Sequence, residues 1–352
     1  PGIDIVIPDF TYILENKDKI KGLVVTHGHE DHIGAIPYLL KQISVPVYGT
    51  KLTVGLIAGK LREHGISDNM LNERSPGDVI KAGCFSVEFI HVNHSIPDAV
   101  SFAITCGAGT VVHTGDFKID TTPIDDKVID MARFAELGKQ GVLALLSDST
   151  NAERPGFTQS ERTVGKTFDT LFEDHKKSRI FVATFASNVH RVQQIINASA
   201  KHGRKVAILG RSMVNVIGAA AELGYIDLPD GVLIDINDIK RYRPEDLTLI
   251  TTGSQGEPMS ALYRMAFSGH RQVEVGYGDK ILIAATPIPG NEKPVYTMIN
   301  ELFRKGADVV YSRLADMHVS GHACQEELKT ILSLVKPKYF LPVHGEYRHL
   351  MV

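Results

Sequence analysis

Cysteine, net charge and long apolar runs are all scarce in this sequence, and each shortage narrows what the chain can be. Cys84, Cys106 and Cys324 stand alone, with no C-x-x-C pair among them. An odd, scattered set fits a reducing, cytoplasmic compartment and leaves little scope for thiolate metal ligation. The formal net charge is −3 and the pI near 6.6, so no global basic field announces a nucleic-acid partner, although a basic groove can sit inside a neutral total. No segment has the apolar length to span a bilayer and no signal peptide is read ahead of the first strand, so no membrane association is expected. Internal repeats and low-complexity tracts are absent as well. What remains is 352 residues, 43% of them hydrophobic, enough for a substantial core in two domains. The chain starts at Pro1 rather than Met, which reads as a fragment or a trimmed product.

The first part reads as short strands broken by turns: "DIVIP", "KGLVVT", "VPVYG", "FSVEFIHV", "AVSFAIT" and "GTVVHTGDF". Several alternate or run continuously apolar and close on Gly, Asn or Asp, as strands do. Helices are expected in "AIPYLLKQI" and around "KLTVGLIAGKLREHG". From about Arg162 the rhythm changes to strand, polar loop, helix. "RIFVATF", "KVAILG", "LTLITTG" and "KILIAAT" each lead through a polar loop into a helical segment, and "DVVYS" follows the last. That alternation indicates a parallel sheet wound on both faces, whose ligands bind at the carboxyl ends of the strands.

The stretch "VVTHGHEDHIG" crowds His27, His29, Glu30, Asp31 and His32 into six residues behind an apolar run. On extended backbone His27 and His29 share a face, whereas Asp31 and His32 fall where a helix begins. A strand end feeding a helix start can therefore aim two ligands at one metal and two at a second. Imidazole and carboxylate suit zinc, and two metals can share one site. Crowding so many ionisable groups without a cation costs several kcal/mol, of order, in desolvation alone. The missing ligands are expected at later strand ends, where His94, Asp116 and His344 stand. Taken singly, each of these reads as an ordinary hydrogen-bonded or turn residue. On an extended segment Glu30 points away from its histidine neighbours, and His91 and His113 are offset from the ligand positions, toward packing or support of the ligands.

"THGHEDH" with "HTGDF" resembles the metallo-β-lactamase fold, and "SDSTN", "SGHA" and "VHGE" resemble the further motifs of the β-CASP nucleases. Together with "ATFASNVHR", "GRSM", "TTGSQGEPMSAL" and "PIPGN", the chain closely resembles the bacterial ribonuclease J family from Gly2 almost to its end. The resemblance implies an α/β protein: a metallo-β-lactamase αββα sandwich with an inserted β-CASP domain, a Rossmann-like parallel sheet with helices on both faces. The expected boundaries are 1–163, 164–310 and 311–352. Two Zn²⁺ per chain are implied, with Mn²⁺ as an alternative. His27, His29 and His94 would hold one and Asp31, His32 and His344 the other, with Asp116 bridging. Asp148 would hydrogen-bond a ligand imidazole, and His322 would face the scissile phosphate as general acid or transition-state stabiliser. Asp31, Asp148 and His322 form the expected catalytic set. His318, Val319, Ser320, Gly321 and His322 would neighbour the RNA backbone, a reading that for His318 competes evenly with a purely structural role. Ser187, Asn188 and Val189 would hold nucleotide or 5′-phosphate, a reading that competes evenly with plain N-capping of the next helix. Arg211, Arg264 and Arg271 are read as solvated surface charge.

The implied activity is hydrolysis of RNA phosphodiesters by a hydroxide held on two zincs. It would combine 5′→3′ exonuclease action favouring 5′-monophosphate ends with endonuclease action, in RNA maturation and mRNA decay. The wound domain would close over the metal site and form an RNA channel. All seven ligands are present, as in the active type of this family. Two family features are not in the chain: initial strands ending in an Asp–Ala–Gly signature, and elements past "VHGE". Both read as truncation, which would leave an unpaired edge on the first sheet and a fragment that folds poorly. The full-length protein is expected to be a homodimer or homotetramer, or to pair with a paralogous subunit and members of an RNA-degradation complex. Three rivals stand beside this reading: another β-CASP nuclease acting on DNA or RNA, a dizinc hydrolase of small esters or thioesters, and a non-catalytic RNA-binding subunit.

Overall fold

The computed structural model describes residues 5–288, 290–311 and 314–352. The chain begins with α1 (Thr11–Glu15), β1 (Leu23–Val24), α2 (Glu30–Ile33), α3 (Ile36–Leu40), β2 (Val47–Gly49) and α4 (Lys51–Glu63). It continues through β3 (Leu71–Glu73), β4 (Val79–Ala82), β5 (Phe85–His91), β6 (Val100–Cys106), β7 (Gly109–His113), α5 (Met131–Gln140) and β8 (Ala144–Asp148). The middle stretch holds α6 (Arg162–Asp174), β9 (Arg179–Ala183), α7 (Val189–Lys201), β10 (Lys205–Leu209), α8 (Arg211–Glu222), β11 (Leu247–Thr251), α9 (Ala261–Ala266), β12 (Asp279–Ile283), α10 (Glu292–Arg304) and β13 (Asp308–Tyr311). The last stretch holds α11 (Gln325–Val335), β14 (Tyr339–Val343) and α12 (Tyr347–Met351). Two compact units result. One is made of residues 1–158 and 320–352, the other of 159–319.

The first unit stacks a three-stranded sheet, β1-β2-β3, on a six-stranded sheet, β14-β8-β7-β6-β5-β4. The reason is legible in β5. Val87 and Phe89 point to one face, where Ile80, Val100 and Phe102 meet Val24 and Tyr48 of the smaller sheet. Ile90 points to the other, where Val92, Ala103, Val112 and Leu145 meet Phe134 and Leu137 of α5 and Ile331 and Val335 of α11. Strand side chains alternate, so a strand apolar at both parities must be covered on both faces. Each fully buried Phe or Ile contributes about 1.5–3 kcal/mol. α5 starts cleanly because the Asp130 side chain accepts from the Arg133 N–H at 3.0 Å.

Topology then collects the site at one end of the larger sheet. β7, β8 and β14 run parallel, and Val343 pairs with Asp148. Their carboxyl ends therefore deliver Thr114–Asp116, Asp148 and His344 side by side.

The second unit is a fully parallel sheet in the order β10-β11-β9-β12-β13. One face carries α9 and α10 through Leu262, Met265, Met298 and Leu302, packed on Phe181, Leu249 and Ile281. The intervening Ile180 and Val182, also fully buried, point the opposite way. This is the doubly wound sheet expected from the strand–loop–helix rhythm.

Two expectations about elements need correction. Among the described residues "DIVIP" forms no strand: Ile5–Pro8 has no pairing there and Val6 is 85% exposed, while Asp4 lies outside the described residues. The strand before the histidine cluster is shorter than read, because backbone pairing between β1 and β2 stops at Val24 and His27 and His29 sit on a connecting loop. Among the described residues, no helix is long and apolar enough to cross a membrane.

Candidate metal centre

His29 is the extended residue that precedes α2 (φ −71°, ψ 153°). His27 and His29 therefore approach from the loop, whereas Asp31 and His32 project from the helix's first turn. Asp116 reaches the same place through a tight turn at Gly115, whose φ is +60° and where a Cβ would meet the Val100 carbonyl at 2.9 Å; only glycine fits there. His344 also has a left-handed backbone, φ +55°, a strained conformation for a non-glycine residue and one that concentrates at functional sites.

The side chains form two groups. His27 Nε2 lies 3.2 Å from His29 Nδ1, and His94 Nε2 lies 3.1 Å from the same atom. Two imidazole nitrogens bound tetrahedrally to one zinc at roughly 2.0–2.1 Å stand about 3.3–3.4 Å apart, so both of these pairs are close to the spacing of ligands around one ion. His94 Nδ1 donates to the Gly321 carbonyl at 2.7 Å, which leaves its Nε2 as the lone-pair nitrogen facing the group. In the second group His32 Nε2 and His344 Nε2 are 3.2 Å apart, and Asp31 Oδ2 lies 3.5 and 3.4 Å from them. Asp116 Oδ2 stands between the groups, 3.6 and 3.8 Å from His27 and His94 and 3.2 and 2.9 Å from His32 and His344. The donor atoms of each set of four lie within 4.8 Å of one another. Imidazole and carboxylate in this arrangement fit a divalent metal site.

The electrostatics of the two groups differ. Burial pushes the His27 and His94 imidazoles well below their ordinary value and His29 down to about 4, with neighbouring histidines adding to the shift of the first two. These rings are neutral, as ligation requires. In the second group burial opposes protonation of His32, but hydrogen bonds to Asp116 and Asp31 outweigh it and raise the ring to about 9. The same two carboxylates push His344 up to about 11. Burial would raise Asp31 and Asp116, yet His32 and His344 hold both well below the usual carboxylate range.

Residues 1–154 match the family model of the metallo-beta-lactamase superfamily, 177–302 that of the ribonuclease J beta-CASP domain, and 307–352 that of the Zn-dependent metallo-hydrolase RNA specificity domain. The chain is 49% identical to ribonuclease J of Helicobacter pylori strain 26695 over 99% of its own length and 51% of that protein's. It is 47% identical to ribonuclease J of Thermus thermophilus, over 100% of this chain and 62% of the relative. The chain belongs to the ribonuclease J family. It is also 46% identical to ribonuclease J2 of Bacillus subtilis 168, with 99% and 62% covered, so it spans about half to three-fifths of the length of these relatives. A crystal structure of a protein of unknown function from Enterococcus faecalis V583 aligns over 98% of this chain and 86% of that one, with a TM-score of 0.67 at 18% identity. That likeness speaks for the fold alone.

The remaining residues singled out by the ribonuclease J resemblance fall in three places. His322 lies beside the two groups, and its Nδ1 meets Asp148 Oδ2 at 2.8 Å. This corrects one expectation: Asp148 bonds His322, not one of the seven candidate ligands, because β8 presents its carboxylate to the Ser320–His322 loop. Burial lowers the His322 imidazole, but the charge and hydrogen bond of Asp148, with the charge of Asp116, together outweigh this and raise it. Ser320 Oγ accepts from Asn151 Nδ2 at 2.9 Å and from the His322 N–H at 3.2 Å.

In the other unit, His318 Nδ1 lies 3.0 Å from Arg191 Nη1, and the Val319 carbonyl accepts from Arg191 Nη2 at 3.3 Å. Asn188 caps α7 by accepting from the Arg191 N–H at 3.2 Å, Ser187 precedes it, and Val189 is fully buried as the first helical residue. Outside the groups, Glu30 pairs with Lys60 at 2.7 Å, His91 lies 3.2 Å from the Lys127 carbonyl, and His113 Nδ1 accepts from the Gly115 N–H at 3.0 Å.

Sequence reasoning missed Arg191 and Glu327, both fully buried. Each stands on a helix among polar neighbours and looks like ordinary surface charge. The spacing Cys324-x-x-Glu327 before an apolar run is the only local signal for the second.

Proposed function

We propose that the full-length protein is a divalent-metal-dependent ribonuclease that hydrolyses RNA phosphodiesters. The reading includes 5′→3′ exonuclease action favouring 5′-monophosphate ends, with endonuclease action. The observation that carries it is Asp116, one buried carboxylate oxygen shared by two ligand groups, with the His322–Asp148 pair alongside. His27, His29 and His94 would hold one zinc and Asp31, His32 and His344 a second. Two bound cations would lower the pKa of the attacking water and offset charge on the phosphate oxygens.

The chain's own residues do the rest. Asp148 holds the proton on His322 Nδ1, which fixes the ring's orientation and leaves Nε2 to exchange a proton with the departing 3′ oxygen. Attack in line would leave a 5′-phosphate on the downstream product and a 3′-hydroxyl upstream. Gly321 and Thr26 lock His94 and His27 from behind: the Gly321 carbonyl accepts from one ring, and Thr26 Oγ1 lies 3.0 Å from the Nδ1 of the other. Ser187, Asn188 and Val189, between β9 and the start of α7, are read as the nucleotide or 5′-phosphate site, with His318, Val319, Ser320, Gly321 and His322 beside the RNA backbone. A homo-oligomer, or an assembly with a paralogous subunit in a cytoplasmic degradation complex, belongs to the same reading and rests on the resemblance to ribonuclease J.

The test is turnover of one labelled RNA carrying a 5′-monophosphate or a 5′-triphosphate, with and without chelator. Mononucleotide release from the monophosphate form, abolished by chelation, is expected. In the His29→Ala variant RNA binding should persist while turnover is lost. Absence of cleavage by the metal-loaded full-length protein would refute the reading.

A further inference from the structure

Behind the centre lies a carboxylate that no step above uses. Glu327, on the first turn of α11, is fully buried. Its Oε1 accepts from the Ile119 N–H at 2.7 Å, and its Oε2 accepts from the Thr158 N–H at 2.7 Å and the Cys324 N–H at 2.8 Å. Only the Cys324 bond is the local half of a helix capping box. The other two donors come from distant chain. Ile119 lies three residues past Asp116 and Cys324 two past His322. Thr158 is itself tied to His322, because its Oγ1 donates to the His322 carbonyl at 2.7 Å, where Asn151 Nδ2 also donates at 3.0 Å. One side chain thus joins the loop that carries Asp116 to the loop that carries His322.

The residue type is as demanding as the position. A cap needs one acceptor and can be exposed. Here three N–H groups converge on a buried carboxylate, whose desolvation is expensive unless its oxygens are filled. A carboxamide has one acceptor oxygen and sets an NH₂ against a backbone N–H. Aspartate is one methylene short of reaching all three.

We propose that Glu327 is a positioning residue that sets the Asp116 loop against the His322 loop. Its effect on metal affinity stands on geometry alone, and its effect on turnover rests on the ribonuclease reading. The test compares Glu327→Gln with Asp130→Ala, which removes a helix cap from the same unit and touches neither loop, both in the full-length protein. The readings are zinc affinity by chelator competition, amide hydrogen exchange over residues 117–120, kcat and KM on monophosphorylated RNA, and Tm. In the Gln variant the oxygen stays with Thr158 and Cys324, and the NH₂ faces the Ile119 N–H. Exchange over 117–120 should rise about tenfold or more, and zinc affinity should fall about 10–100-fold. kcat should fall roughly tenfold or more with KM within about twofold, whereas Asp130→Ala lowers Tm only. The proposal is overturned if Glu327→Gln behaves like the control, losing Tm while keeping wild-type exchange and zinc affinity. Should the Gln variant not fold, Glu327→Asp carries the same readings. If the wild type cleaves no RNA, the ribonuclease reading falls while exchange and zinc affinity still decide the role of Glu327.

Discussion

Replacing Gly321 with alanine tests the metal centre without removing any candidate ligand. A Cβ at this position would stand 2.7 Å from both Cε1 and Nδ1 of His94 and 2.8 Å from Ser95 Oγ. Ordinary contact begins near 3.4 Å, so the imidazole or the loop must retreat by about 0.7 Å. Neither has room: His94 is 4% exposed, and its Nδ1 already donates to the Gly321 carbonyl at 2.7 Å. Metal–ligand distances tolerate only about 0.2 Å, so the His27–His29–His94 group should lose its ion first. We expect zinc affinity to fall by about 10–100-fold or more, with an overpacking cost of about 1–3 kcal/mol in stability. Chelator competition, metal content and urea denaturation read these out. Gly59→Ala is the control, because nothing lies within 4 Å of its Cβ position in α4. It should stabilise by about 0.5–1 kcal/mol and leave zinc untouched. If Gly321→Ala binds zinc as the wild type does, the reasoning from His94's confinement is wrong.

His322→Ala should lower kcat by about 10²–10⁴ and keep the metal content. Asp148→Asn preserves the shape of the 2.8 Å contact without its charge and should cost less. A fall in metal stoichiometry in either variant would mean that the pair holds a cation, and would remove the proton-transfer role. In the second unit, Arg191 gives Glu161 two hydrogen bonds, at 2.8 and 2.9 Å, and donates to the Ala284 carbonyl at 2.9 Å, all in buried surroundings. Arg191→Met removes both of these bonds from the buried Glu161 carboxylate and should destabilise by about 3–5 kcal/mol, whereas Arg191→Met with Glu161→Met should recover most of that loss. A single-variant cost under about 1 kcal/mol by urea denaturation would refute the pairing argument.

How much of this could be read in advance depends on sequence distance. The wound sheet was legible because β9 to β12 are largely apolar and each runs through a polar loop into a helix, with β13 following the last. The six-residue cluster at His27–His32 was legible because its chemistry is local. His94, Asp116 and His344 are single residues at strand ends, and only motif order made them stand out before the sheet brought them together. Asp148's partner could not be read, since it depends on which loop β8 faces once β14 has paired with it. Glu327 and Arg191 were invisible for a related reason. A charged residue on a helix is normally solvated, and nothing nearby in sequence reveals that distant backbone will close over it. "DIVIP" misled in the opposite direction: its pattern suits a strand, but pattern without a partner strand does not make one.

The left-to-right order of the ligands has a consequence for synthesis. His27, His29, His94 and Asp116 are all made before the second unit begins, whereas the other group waits for His344. Roughly 230 residues separate Asp116 from His344, or about 10–45 s of translation at typical rates. During that interval the chain carries these four donors without Gly321, whose carbonyl holds the His94 ring, or Glu327, which holds the segment after Asp116. The first group can thus reach its final geometry only after the second unit has been made, which ties assembly of both groups to the synthesis of residues 320–344.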